Sequence, residues 1–166
     1  MNKQEILEEI NKTKEHLANM EKMLGECEYE RWKPIDGELY YFLDSYGEMV
    51  ADNFCSADYI DSQRYKNYNC FQTEEEVKQE AEKILVRRML EDIARRLNKG
   101  EKIDWLDDTL NLFTICYDFV SDEIGLISTS ALIKKAGEVY CLNQEFAHVA
   151  IQEIGEERLK KYLRGE

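Results

Sequence analysis

Apolar residues recur at helical spacing from Val77 to Leu97, where Val77, Ala81, Ile84, Leu85, Met89, Ile93, Ala94 and Leu97 fall near one stripe of a 3.6-residue period. Thr73 with Glu76 three residues later forms a capping box at the start, and Asn98-Lys99-Gly100 supplies a C-terminal stop. The spacing predicts a helix of about 25 residues. A helix with a long apolar stripe cannot cover it alone, so the rest of the chain must provide a sheet or further helices to pack on it.

Flanking segments offer such cover twice. On the N-terminal side Trp32, Pro34 and Gly37 precede Leu39-Tyr40-Tyr41-Phe42-Leu43, a strand by composition. Asp44-Ser45-Tyr46-Gly47 reads as a turn, and Glu48 to Ala51 returns to complete a hairpin. A loose segment rich in Asp and Tyr leads to a short strand ending at Cys70-Phe71. On the C-terminal side Trp105 is followed by a strand over Leu110 to Tyr117, a turn over Asp118 to Gly125, a return over Leu126 to Ser130 and a third strand over Gly137 to Leu142. Asn143 then caps a helix holding Phe146, Ala147, Ala150, Ile151 and Ile154. The strings Cys70-Phe71-Gln72-Thr73-Glu74 and Cys141-Leu142-Asn143-Gln144-Glu145 occupy matching places. The halves 31–100 and 101–166 therefore read as two ββ(β)α units, by duplication or by chance recurrence of a common strand–helix order. A short basic helix, Glu156 to Leu163, closes the chain with Leu159, Tyr162 and Leu163 on one side.

Residues 1–30 carry a heptad, with Ile10, Leu17 and Leu24 at one core position and Ile6, Met20 and Cys27 at the other, Thr13 interrupting. Glu9 against Lys14 and His16 against Glu21 favour a parallel homodimer; packing of the same stripe on the chain's own sheet is the competing reading. The expected fold class is α+β, an N-terminal coiled-coil-like helix followed by 31–166 with antiparallel sheets.

Composition narrows function. Across 166 residues the net charge is −13, while 43% of residues are hydrophobic, too many for a disordered chain. That charge opposes direct binding to nucleic acid or an anionic membrane and favours basic protein partners. The five cysteines, Cys27, Cys55, Cys70, Cys116 and Cys141, contain no C-x-x-C pair, and His16 and His148 add little, so neither a zinc site nor any other metal or cofactor is expected. The N-terminus has no signal-peptide pattern, and the expected location is a reducing cytoplasm.

No nucleophile elbow, P-loop, dinucleotide fingerprint or zinc-hydrolase motif is present, and His148 falls off the apolar face of its helix, so no catalytic residue is assigned and an enzyme is not expected. Carboxylates gather beside aromatics instead: Glu26, Glu28 and Glu30 before Trp32; Asp52, Asp58 and Asp61 with Tyr59, Tyr65 and Tyr68; Asp104, Asp107 and Asp108 around Trp105. Such clusters suit docking on a basic groove, charge steering the encounter and aromatics anchoring it; as plain solvated loops they would only confer solubility. Against this trend, Arg87, Arg88, Arg95 and Arg96 lie on the long helix. Ion pairs at i, i+4 with Glu91 and Asp92 account for much of that, while unpaired arginines beside an aromatic ring would suit a small phosphorylated ligand.

Trp32-Lys33-Pro34 with Gly37-Glu38 and Tyr40-Tyr41, Asn69-Cys70-Phe71-x-Thr73-x-Glu75, and the run Ala150 to Leu163 resemble small accessory proteins of phages and prophages of Gram-positive Firmicutes. The likeness covers most of 1–166 and is loosest at about 50–65 and 105–135. It implies an anti-defence role of the anti-CRISPR kind, in which a small acidic protein in the host cytoplasm occupies the basic channel of a Cas nuclease. Sequestration of a cyclic or phosphorylated defence-signalling nucleotide, and a coiled-coil scaffold or regulatory subunit, are the alternatives.

Overall fold

The computed structural model describes residues 31–166 together with Glu9, Lys12, Thr13, Lys14 and Leu17. The chain divides into two units, Met1–Pro34 and Ile35–Glu166. In the first, those five residues are helical, and the Thr13 hydroxyl donates to the Glu9 carbonyl at 2.8 Å. The other heptad positions, Ile6, Ile10, Met20, Leu24 and Cys27, lie outside the described residues, and the coiled-coil pairing with them.

The second unit runs β1 (Leu39–Leu43), β2 (Met49–Asn53), α1 (Tyr59–Lys66), α2 (Glu74–Leu97), β3 (Asn111–Asp118), β4 (Glu123–Ser130), α3 (Phe146–Ile154) and α4 (Glu156–Arg164). The fold is mixed α+β, with β1–β2 and β3–β4 forming two separate antiparallel sheets of two strands each. Among the described residues no helix is long and apolar enough to cross a membrane.

Each hairpin follows from its turn chemistry. Leu43 pairs with Met49, and the Asp44 carboxylate accepts from the Tyr46 and Glu48 amides at 2.8 and 2.9 Å, closing the first turn on itself. The second hairpin is longer than its sequence suggests, since pairing continues out to Asp118 opposite Glu123. Gly125 makes this possible: it faces Cys116, and a Cβ there would stand 3.0 Å from the Cys116 sulfur.

The expected third strands shrink to one pair each. Phe71 bridges Tyr41, and Cys141 bridges Phe113, both by reciprocal backbone hydrogen bonds of 2.8 to 3.0 Å. In the first half the next register pair would be Leu43 with Asn69. There the Asn69 side chain takes the place of a strand backbone, accepting from the Leu43 amide at 2.8 Å and donating to its carbonyl at 2.7 Å. Tyr68 sits at φ +60°, which turns the chain away from a continuing strand. The bridges also correct the alignment of the halves: Cys141 corresponds to Phe71, one position after Cys70. Both bridges land on the third residue of the inner strand, Tyr41 or Phe113, with Tyr40 and Leu112 fully buried just before it.

Helix α2 begins at the expected capping box, with Thr73 accepting from the Glu76 amide and Glu76 from the Thr73 amide. Its buried set is Val77, Val86, Leu90, Ile93 and Ala94, whereas Leu85 of the expected stripe is exposed. The stripe shifts because α2 has two partners. It meets β1 and β2, and it packs on α3 and α4, where Val86, Leu90 and Ile93 join Phe146, Ala150, Ile154 and Leu159 around Cys141. At the C-terminal end buried Asn98 accepts from the Leu142 amide at 2.8 Å, joining the helix to the second bridge. Asn143 does not cap α3 as expected: it lies two residues before the N-cap, Glu145, and accepts from the Glu145 amide at 2.8 Å, so it shapes the turn into the helix. Gly155, at φ +94°, ends α3 and starts α4, and Arg158 with Glu82 and Arg96 with Glu153 tie those helices to α2.

Candidate functional site

The segment expected to be a loose Asp and Tyr loop contains helix α1. Asp58 caps it, accepting from the Ile60 amide at 2.6 Å. Its faces show no helical apolar period, and for that reason the sequence did not reveal it; the helix is held by polar contacts to the hairpin instead. Asp61 is the centre of these. It accepts from the Tyr40 hydroxyl at 2.6 Å, from the Cys55 amide at 2.9 Å and from Arg64 Nη1 at 3.0 Å. Arg64 also donates to the Tyr40 hydroxyl at 2.6 Å, pairs with Asp52 at 3.3 Å and lays its guanidinium 3.6 Å from the Phe42 ring centre. Burial first, and then the Asp61 carboxylate, push the Tyr40 hydroxyl above its ordinary pKa.

This network removes Asp61 from the proposed docking set. The residue is 5% exposed and its oxygens are engaged inside the protein, so it anchors α1 and cannot meet a partner. Arg64, which holds Asp61 in place, was not singled out in the sequence, and only an i, i+3 spacing from Asp61 hinted at it. Around the buried anchor the surface remains acidic and aromatic. Tyr59 and Tyr68 are each 75% exposed, Tyr46 at the hairpin turn is 86% exposed, and Asp52, Asp58, Met49 and Val50 are exposed as well. Tyr65 is half-buried. Residues 35–70 hold seven carboxylates against two cations, Arg64 and Lys66.

The other acidic clusters separate from this one. Glu26, Glu28 and Glu30 lie outside the described residues. Asp104 accepts from the Leu106 amide at 3.0 Å, and Asp107 accepts from the Thr109 amide and hydroxyl at 2.9 and 2.6 Å, so both serve to close turns. The Thr109 hydroxyl and then its amide hold the Asp107 carboxyl below the usual range. Asp108 is exposed. Trp105 between them is half-buried, its ring edge-to-face with Tyr140 at 5.4 Å.

The four arginines of α2 do not form one site. Arg87 pairs with Glu91 at 3.0 Å as the spacing predicts, but Asp92 pairs with Arg95 and Arg96 and not with Arg88. Arg96 turns to Glu153 of α3. Arg88 lines a groove of about 440 Å³ against the first hairpin, with Leu43, Tyr46 and Met49. Arg87 and Arg95 line a different groove, of about 730 Å³, shared with Trp105, Lys134 and Lys135 of the second half. The one sequence signal of these lysines is that they end a run of ten uncharged residues, Ile124 to Ile133.

No protein-family model matches the chain, and no curated protein and no solved structure is significantly similar to it.

Proposed function

We propose that the protein is a phage-encoded, non-catalytic inhibitor that docks on the basic nucleic-acid channel of a bacterial defence nuclease, a CRISPR–Cas effector being the first candidate. The observation that carries this reading is the surface around β1, β2 and α1, where Tyr46, Tyr59 and Tyr68 are exposed beside Asp52 and Asp58. Exposed aromatic rings supply desolvation energy on docking, and carboxylates around them steer a cationic partner and suppress anionic ones. Rigidity supports the same reading: the Asp61–Arg64–Tyr40 network fixes α1 on the hairpin, so the surface is organised before the partner arrives.

The test is binding to purified Cas effectors as salt is raised. Association should slow with ionic strength, and Asp52→Lys with Glu48→Lys, exposed positions that cap no helix, should slow it about tenfold at low salt. Tyr59→Ala should instead speed dissociation. An association rate indifferent to both salt and the lysine substitutions overturns the reading.

A further inference from the structure

We propose that the groove between the C-terminal half of α2 and the loops around Trp105 and Lys134 binds a mononucleotide carrying a diphosphate. The inference is independent of the docking surface and lies on different residues. Five cations, Arg87, Arg95, Lys102, Lys134 and Lys135, line the groove against three carboxylates, Glu91, Glu101 and Glu138, a local excess of positive charge in a chain of net charge −13. Three of the cations are engaged, Arg87 with Glu91, Arg95 with Asp92, and Lys135 with Glu138 at 3.4 Å. Lys102 and Lys134 form no ion pair with any described residue, so their charge is available to a ligand.

An aromatic wall accompanies the charge. Trp105 is braced by Tyr140, itself fixed by donating to Glu138 at 2.6 Å and accepting from the Lys135 amide at 3.0 Å. Lys134 Nζ stands over the Trp105 ring, 5.1 Å from its centre, a cation–π contact at an exposed lysine that a ligand base can displace, swinging the ammonium toward the phosphates as the base stacks on the ring. Arg87 and Arg95 are eight residues apart on α2, about 12 Å along the helix, a span that a bare phosphate cannot bridge but a nucleotide with a phosphate chain can. Size is limited from the other side. A polynucleotide leaving the groove would meet the carboxylates that dominate the rest of the surface, so the fit is to one nucleotide and not to RNA or DNA.

Titration of a Trp32→Phe variant, in which Trp105 is the one remaining tryptophan, with the common ribonucleoside diphosphates tests this by fluorescence, with calorimetry in parallel. At least one should give a saturable change in Trp105 emission, and the matching nucleoside and inorganic pyrophosphate should each bind about tenfold or more weakly. Lys102→Glu with Lys134→Glu, both at exposed positions, should weaken the nucleotide about tenfold or more without altering the circular dichroism spectrum. No saturation by any diphosphate up to millimolar concentration, pyrophosphate binding as tightly as the nucleotide, or indifference to the double charge reversal would each overturn the proposal.

Discussion

The two halves of the second unit share a plan and differ in what they build between the hairpin and the bridge. In the first, residues 54–70 fold α1 down on the hairpin through a buried carboxylate and leave an acidic, aromatic exterior. In the second, residues 131–140 form a short loop that presents Lys134 and Lys135 beside Trp105. The scaffold is therefore indifferent to charge: β-strands, one bridge and a helix recur, while the connection after the second strand decides whether the surface is acidic and aromatic or carries a basic groove. Loops on a fixed frame can change chemistry without changing fold.

The sharpest way to break the comparison is Asp61→Ala. It strands the Tyr40 hydroxyl, the Cys55 amide and Arg64 together in the first half, and should cost about 3–5 kcal/mol in urea unfolding, more than removal of the partly exposed Glu138 that holds Tyr140 and Lys135 in the second loop. Asp52→Ala, which removes only the outer carboxylate from Arg64, should cost less than about 1 kcal/mol. If both cost the same, α1 is not held from its buried side.

Next in size are the two asparagines that finish the bridges. Asn98→Ala leaves the Leu142 amide without its acceptor near the buried end of α2, and Asn69→Ala opens both Leu43 contacts at a half-buried site. Each should destabilise by about 1–3 kcal/mol, with the loss in amide protection falling on Leu142 in one variant and Leu43 in the other. Protection lost equally in both halves would mean that the two bridges are one cooperative element.

Acid should separate the halves more gently. The second half carries Asp107, Asp118 and Asp122, all held below the ordinary carboxylate range, Asp122 by the Tyr117 hydroxyl first and Lys160 next. Glu82 is lowered in the same way by Arg158. A depressed carboxylate stabilises the fold above its unfolded pKa, about 4, and that contribution disappears as pH falls through the lower folded value. The melting temperature should therefore drop below about pH 4, and Asp122→Asn should flatten the drop. A curve unchanged by Asp122→Asn would remove the second hairpin turn from the acid response.

The smallest effect is expected at Asp92, whose ion pairs with Arg95 and Arg96 are exposed; Asp92→Ala should cost no more than about 0.5 kcal/mol.

Much of the frame is legible in the letters because it rests on local signals. Thr73 and Glu76 cap α2, Asp44 and Gly47 turn the first hairpin, and Phe146, Ala150 and Ile154 repeat at helical spacing. What escapes reading depends on partners distant in sequence. Asp61 looks like any other acidic loop residue until Tyr40 and Arg64 converge on it. Phe71 and Cys141 sit in strand-like text, yet each pairs only once, with Tyr41 and with Phe113, and beside Phe71 the chain turns away at Tyr68. Val86 and Leu90 lie off the simple stripe and become core only because α3 and α4 arrive on a second side. The docking residues fare similarly: Tyr59 and Asp58 stay at the surface as the letters suggested, while the basic groove needed Lys134 to be brought over Trp105.

Leu159 has a consequence for how the chain reaches this state. It is fully buried in the cluster that Val86 begins, so this core joins residues more than seventy positions apart and remains open until α4 docks. Contacts of that sequence separation cost loop entropy before they return any burial, so folding should be governed by the late closure of α4. With only nine residues, α4 has no stable existence by itself. During synthesis the inner faces of α2 and α3 thus stay wet until Leu159 has emerged, an interval in which exposed apolar surface is open to proteases and to aggregation.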